Sequence, residues 1–377
     1  MRICILGRSD YLLLQERVKN LISLLHDVHI VTLDAGNDST DSFGTVHHIA
    51  TSSKLGTLKY VQAIPHFRQL INRIKPDVVD IHGISSYGIY GLAPLKTIPF
   101  VSTVYGPDIN IHGRQNRLLA MLMRRCIQNS DMVYGSTPAA HDYIQEVLDI
   151  DVADKFKARS WGLNVSEINS SKIKRRTRIR SEFSIEDDTR IILHNRQFTD
   201  FWRVTDILES IPELLSSYPN VEFWFVFPPP NQEGENTLQK ARQQIERLGI
   251  QAHVRLLGPQ PYERMISIMH ASDIYLCMGQ SDLLASSVLE ALATGLVPVL
   301  NNLQAYHEVI NHGENGFFLE SVEPESVSQS LADVIAKFSL YQPRFAERNL
   351  SLISQKYDSH SNTAWLVDQF EILASNH

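Results

Sequence analysis

Short apolar runs alternate with stretches of helical spacing, and the series is played twice along the chain. Arg2–Leu6 is followed by helical spacing over Gln15–Leu25, carried by Val18, Leu21, Ile22 and Leu25, and then by Val28–Leu33. Helical spacing over Phe67–Ile74 leads into apolar runs at Val78–Ile81 and Phe100–Val104, a helix over Arg117–Gln128 and a run at Met132–Tyr134. A near-continuous apolar run reads as a strand buried on both faces. Strands that alternate with helices predict a parallel sheet covered on both sides, with right-handed connections.

The rhythm stops between Asn169 and Asp187, a polar stretch holding Lys172, Lys174, Arg175, Arg176, Arg178 and Arg180. A charge run of this kind reads as a solvated connection. The alternation resumes with Ile191–His194, a helix through Ile207, Ile211 and Leu214, and the strand Val221–Phe227, which must leave the sheet at Pro228-Pro229-Pro230. Gln239–Leu248 reads as helix, Val254–Leu257 as strand, Tyr262–His270 as helix and Ile274–Met278 as strand. Glu325–Phe338 and Arg344–Ala374 read as largely helical. The expected architecture is α/β, with two Rossmann-like domains facing each other across a cleft. Their expected bounds are 1–170 and 189–355, joined by a linker at 171–188, with a C-terminal helix at 356–377 packing back on the first domain.

A chain of 377 residues suits two domains. The net charge of −7 argues against a general nucleic-acid binder, which would be basic. Cys4, Cys126 and Cys277 lie far apart in apolar contexts, without disulfide or metal-ligand spacing, and read as buried thiols of a reducing compartment. MRICILG lacks the apolar core of a signal peptide, and no stretch is long enough to span a bilayer. The expected location is cytoplasmic, with peripheral contact at the inner face of a membrane. That contact is suggested by Arg114, Arg117, Arg124 and Arg125 beside Leu118, Leu119, Met121, Leu122 and Met123. The plainer reading of the same helix is a packed element with a solvated basic edge, and docking on an anionic leaflet is the alternative.

The segment Ser281–Gly316 carries the chemistry. Asp282 precedes Glu290 by eight positions; a helical pattern (Val288, Leu289, Ala291, Leu292) stops at Thr294-Gly295; a short strand Val297-Pro298-Val299-Leu300 follows; and a turn closes at Gly313-Glu314-Asn315-Gly316. Carboxylates at a helix start backed by a strand suit the hydroxyls of a sugar nucleotide. Upstream, Arg196 follows the strand Ile191–His194, where a cation at a strand's carboxyl end points into the ligand crevice and suits a diphosphate. A surface salt bridge is the plainer alternative for Arg196 and for Arg203.

This string resembles the donor-binding segment of the retaining GT-B glycosyltransferases of the group 1 type. Their pattern is an acid, seven residues, then Glu and an Ala-rich helix, followed by Gly, a Pro-Val strand, and Glu before Gly-x-Asn-Gly. Glu290, Ala291, Ala293, Gly295, Glu308, Gly313, Asn315 and Gly316 fall in register. Asp282 stands where the family has Glu, and Leu283 and Ala285 replace its glycines. The resemblance implies that Glu290 grips the ribose and that Asp282 faces the transferred sugar. Backbone N–H groups at Leu283 and Leu284 would hold the diphosphate, and Gly258-Pro259 would lie beside the base. Arg196 would neutralise the diphosphate, and Arg203 is the nearest substitute for a missing lysine.

In the first half the match is looser. Asp77–Gly83 is similar to a family strand ending in a His near the crevice, here His82; Thr103–Asp108 is similar to a strand-end motif in which Tyr105 replaces a His and Asp108 keeps the acid. His82 and Asp108 are placed on the acceptor or sugar side, and Tyr105 with Arg196 and Asp282 in the catalytic group. Ser160-Trp161-Gly162 resembles a turn before the interdomain connection. Glu16-Arg17-Val18 matches a helix start whose paired glycines have become Leu13-Leu14, leaving Gly7 and Arg8 to contribute to the site. The first domain would then serve the acceptor and the second the nucleotide-sugar.

The implied activity is transfer of a sugar from a nucleotide-sugar, UDP- or GDP-linked, to an acceptor hydroxyl with retention. It would be a metal-independent hexosyltransferase without a cofactor, acting on a glycan or lipid-linked acceptor in glycan, polysaccharide or glycolipid biosynthesis. The departures at Leu13, Leu14, Tyr105 and Asp282 keep open a non-catalytic relative that binds a nucleotide or glycan as partner of another transferase. A same-fold epimerase ranks last, because no acid/base pair can be assembled from the sequence.

Overall fold

The computed structural model describes residues 1–33, 44–51, 58–106 and 108–377. The chain divides into two units: Met1–Gly162 with Ser359–His377, and Leu163–Asp358.

The first unit is built on a parallel sheet of Arg2–Leu6 (β1), Asp27–Thr32 (β2), Thr45–His48 (β3), Val78–His82 (β4), Phe100–Thr103 (β5), Met132–Gly135 (β6) and Phe156–Ala158 (β7). The spatial order is β3-β2-β1-β4-β5-β6-β7. All of Val78–His82 is buried, as a central strand covered on both faces must be. Register pairs Ile3–Leu6 with Val78–Ile81. The order reverses between β1 and β4, and their carboxyl ends, at Gly7 and His82, bound the crevice that such a switch point leaves open. Leu366, Val367 and Phe370 of the last helix, Ser359–Asn376, pack with Ile3, Leu14, Val18 and Leu21.

The second unit repeats the plan with Arg190–His194 (β8), Val221–Val226 (β9), Val254–Gly258 (β10), Ile274–Cys277 (β11), Val297–Leu300 (β12) and Phe317–Phe318 (β13). The order β10-β9-β8-β11-β12-β13 puts its switch between β8 and β11. The helix Ser286–Thr294 ends where Gly295 takes φ 85 and its N–H returns to Leu292, a left-handed cap that glycine adopts without strain.

Three expectations need correction. The stretch 171–188 is not a solvated connection: Lys172–Glu182 is a helix of the second unit. Arg176 donates to the carbonyls of His270, Ala271 and Ser272 and pairs with Asp273 at 3.1 Å. Arg180 donates to the carbonyls of Ala271, Glu186 and Thr189. These cations satisfy the orphan carbonyls at the end of the helix Tyr262–Ala271, where the helix dipole favours positive charge. The first unit also closes earlier than residue 170, at Gly162. Helices begin earlier than their apolar spacing suggests: Leu12–Ser23, Leu58–Ile74 and Gln232–Leu248 start before Gln15, Phe67 and Gln239, by one turn in the first and about two in the others.

Candidate functional site

At the switch point of the second unit, β8 delivers Arg196 and the loop after β11 delivers Asp282. The guanidinium of Arg196 donates to Ser287 Oγ at 2.8 Å and to Asp282 Oδ2 at 3.2 Å. The same carboxylate oxygen accepts from Tyr306 OH at 2.8 Å, and Oδ1 accepts from the Leu283 N–H at 2.8 Å. Tyr275 OH donates to Ser287 Oγ, which completes a closed polar cluster. Both charged side chains are about nine-tenths buried: the exposure is 15% for Arg196 and 11% for Asp282. Burial alone would ease the proton off Arg196, but the Asp282 charge beside it holds the guanidinium well above its ordinary range. Arg196 is thus no surface salt bridge. It is a fixed cation at the carboxyl end of a strand.

Trp202 covers that cation. The Arg196 guanidinium carbon lies 3.7 Å from the Trp202 ring centroid, a cation–π contact made strong by desolvation. The other edge of the indole reaches Gly279, where an added Cβ would fall 2.3 Å from Trp202. Only glycine leaves room for the ring. Arg203, the expected replacement for a phosphate-binding lysine, takes φ 55 and turns its guanidinium to Asp206 at 3.1 Å. The aromatic Trp202, not the adjacent cation, therefore accompanies Arg196.

Glu290 lies on the helix Ser286–Thr294 and is 6% exposed. Burial pushes its carboxyl up to about 7, against a hydrogen bond from Tyr262 and the charge of Arg196. Leu284 takes φ 55 in spite of its side chain, which is buried. The backbone thus reaches the left-handed conformation that glycine would supply freely, at about 1–2 kcal/mol of strain. Gly258 has φ +63 and open space around its missing side chain, while Pro259 is exposed. Glu308 accepts from Tyr357 OH at 2.8 Å, and Asn315 ties its turn to Asn349.

In the first unit, His82 joins two partners. Its Nε2 lies 2.8 Å from Asp80 Oδ2, and its Nδ1 lies 2.8 Å from Tyr105 OH. Thr103 OH donates to Asp80 Oδ1 at 2.6 Å. Gly7 allows this packing, since a Cβ there would stand 3.0 Å from that of His82 and 3.3 Å from Leu14. Tyr105 is half-buried, stacks on Trp161 at 5.6 Å and meets the edge of Tyr11 at 5.5 Å. Asp108 is buried and accepts from the N–H groups of Ile84, Ser85 and Tyr105 and from Ser85 OH. That carboxylate clamps two strand-end loops together. Pro107 of the Thr103–Asp108 motif and the side chain of Leu13 lie outside the described residues, whereas Leu14 is fully buried.

Sequence reasoning missed Trp202, Ser287, Tyr306 and Asp80. Only Asp80 left a signal: two residues before His82 on a strand, it must share that histidine's face. Among the described residues there is no group of three or more His, Cys, Asp or Glu able to hold a metal, and no helix long and apolar enough to cross a membrane. The three cysteines are buried and unpaired.

Residues 175–347 match the family model described as Glycosyl transferases group 1, and residues 2–137 match Glycosyl transferase 4-like. The N-acetyl-alpha-D-glucosaminyl L-malate synthase of Bacillus anthracis is 20% identical over 364 residues, 94% of this chain and 90% of that protein. The phosphatidyl-myo-inositol mannosyltransferase of Mycobacterium tuberculosis is 28% identical over 128 residues, which is 34% of this chain and 32% of the relative. Among solved structures, Anabaena Alr3699/HepE in complex with UDP and glucose superposes with a TM-score of 0.84 at 15% identity, covering 98% of this chain and 99% of that one. WaaG, a glycosyltransferase involved in lipopolysaccharide biosynthesis, superposes at 0.75 with 15% identity, covering 98% and 99%.

Proposed function

Since the chain belongs to the group 1 glycosyltransferases and has their two-unit GT-B fold, we propose that it transfers a hexosyl group from a nucleotide-sugar to an acceptor hydroxyl with retention of anomeric configuration. The observation that carries this reading is the grouping of Arg196, Asp282 and Ser287 at the switch point of the second unit, with Glu290 on the helix that follows. Arg196 offers a buried, permanently charged fork to a diphosphate. Leaving-group charge that grows in the transition state would be met by a cation already in place, without reorganisation. Glu290 would accept from the ribose hydroxyls, and Asp282 would face the sugar. A UDP-linked donor is favoured because the HepE structure holds UDP and glucose. The acceptor would be a glycan or lipid-linked hydroxyl at the inner face of a membrane, with the first unit on the acceptor side.

The cover of Trp202 over Arg196 favours a second reading, a nucleotide-binding relative without turnover, because one face of the cation is already occupied. Thermal shift with UDP, GDP, ADP and CMP, followed by turnover of the matching nucleotide-sugars with cell-envelope extract, separates the two. The transferase reading expects a stabilising nucleotide, and turnover lost in both Arg196→Ala and Glu290→Ala. Binding lost in Glu290→Ala, with no turnover by the unaltered protein, would leave the second reading.

A further inference from the structure

The hydrogen bonds around His82 run in one direction. Asp80 is buried. Burial alone would raise its carboxyl, but the neighbouring His82, Arg17 and Thr103 together hold it below the usual range, so it is ionised and can only accept. One oxygen takes the hydroxyl proton of Thr103, and the other must therefore take a proton from His82 Nε2, 2.8 Å away. If the ring carries a single proton, that proton sits on Nε2 facing the carboxylate and Nδ1 is bare. Across 2.8 Å from that nitrogen stands the Tyr105 hydroxyl, which must then donate inward.

The Tyr105 ring cannot readily turn away from this arrangement. It stacks on Trp161 with an interplanar angle of 14°, and the Arg17 guanidinium lies 3.5 Å from the Trp161 ring centroid on that indole. Tyr11 closes on Tyr105 edge-on at 89°, and the His82 ring itself abuts Trp161 at 5.2 Å. The phenol oxygen is thus fixed in place with its only proton spent. What it presents to a ligand is lone pairs.

We infer that Asp80 and His82 are positioning residues that set Tyr105 as a hydrogen-bond acceptor, so that this corner of the first unit receives a neutral hydroxyl of the sugar or acceptor and disfavours a carboxylate or phosphate there. A histidine at the Tyr105 position could present either a donor or an acceptor. Tyrosine held by this relay presents one polarity. A group with no proton to give would set its own lone pairs against those of Tyr105, leaving both unpaired, a cost that rises as water is excluded. The inference rests on the transferase reading for the identity of the ligand, but the relay itself is a property of the free protein.

The test is the tautomer of His82 in the unaltered protein, read from long-range nitrogen–carbon-proton correlations in nitrogen-15-labelled material and assigned with His82→Gln. The expected result is a neutral ring protonated on Nε2, unchanged in Tyr105→Phe and redistributed between the two tautomers in Asp80→Asn. A neutral ring protonated on Nδ1, or a ring protonated on both nitrogens, would overturn the inference, because Tyr105 would then accept from His82 and donate outward. So would an Nε2 tautomer that Asp80→Asn leaves untouched. Neither failure alters nucleotide binding or turnover, whereas an unaltered protein that no nucleotide stabilises and that turns over no nucleotide-sugar would sink the transferase reading while leaving the tautomer as it is.

Discussion

The two units share a plan and differ in how they keep a buried arginine. In the second, Arg196 has a carboxylate 3.2 Å away, a hydroxyl and a tryptophan face. In the first, Arg17 is also buried, but it lies on the Trp161 and Tyr134 rings and donates to Tyr134 OH, while its Nε and Nη1 have no hydrogen-bond partner. Arg196 is part of a closed electrostatic set from which nothing can be removed without exposing a charge. Arg17 is a packing element whose charge acts at a distance, on Asp80 and on the tyrosines around it. The lesson is that a buried cation is costly to lose in proportion to what it leaves behind, more than to what it touched.

The sharpest way to break this comparison is to remove Arg196. Arg196→Ala strands Asp282 in a buried position and is expected to cost about 3–5 kcal/mol, read as a fall in the urea midpoint. A loss under about 1 kcal/mol would mean that Asp282 finds water or another donor, and the closed set would be an illusion.

Glu290 sharpens the electrostatic side of the contrast. Its carboxyl rises from 4.5 to about 7 on folding. At about 1.4 kcal/mol per pKa unit that is on the order of 3 kcal/mol. Because the folded form holds its proton more tightly than the unfolded form, stability falls as pH climbs from 4.5 to about 7 and stays low above it. Glu290→Gln should therefore remove that fall and be the more stable protein at pH 8, as equilibrium unfolding at pH 5 and pH 8 would show. Nucleotide affinity should run the other way, rising through about pH 7 as the carboxylate forms to receive the ribose, and flattening in the variant.

The smallest effect is expected at Arg17. Arg17→Met keeps most of the volume, removes two nitrogens that lack a hydrogen-bond partner and leaves Tyr134 OH its bond to the Arg159 carbonyl. The change should stay within about 1 kcal/mol. A loss matching that of Arg196→Ala would erase the distinction between the two arginines.

What the residues reveal in advance follows the same line between local and assembled features. Strands such as Ile3–Leu6 and Val78–Ile81 are legible because burial on both faces demands an unbroken apolar run. Thr45–His48 lies at the sheet edge, only partly buried, and Phe317–Phe318 is two residues long, so neither leaves a pattern to read. The helix Lys172–Glu182 hides for another reason: its arginines look solvated, yet their partners are carbonyls some ninety positions away. At the candidate site, Asp282 and Glu290 are legible through one motif and Arg196 through its place after a strand. Trp202 is not, because its role depends on a glycine far along the chain that makes room for the indole. Nor does the sequence announce the left-handed conformation of Leu284, which lies between Leu283 and Ala285 and is held at φ 55 despite its side chain.

The split of the first unit between Met1–Gly162 and Ser359–His377 has a bearing on biogenesis. Domains tend to fold as they emerge from the ribosome, the earliest made first. Here the later-made half is whole once Asp358 has emerged, while the earlier-made half still lacks a helix of its core. The opening 162 residues must wait, with Leu14, Val18 and Leu21 uncovered by Leu366 and Phe370, through the synthesis of everything between. A chain that begins with one Rossmann-like unit is obliged to finish it last, and a lesion in the final helix would be felt at the very first strand.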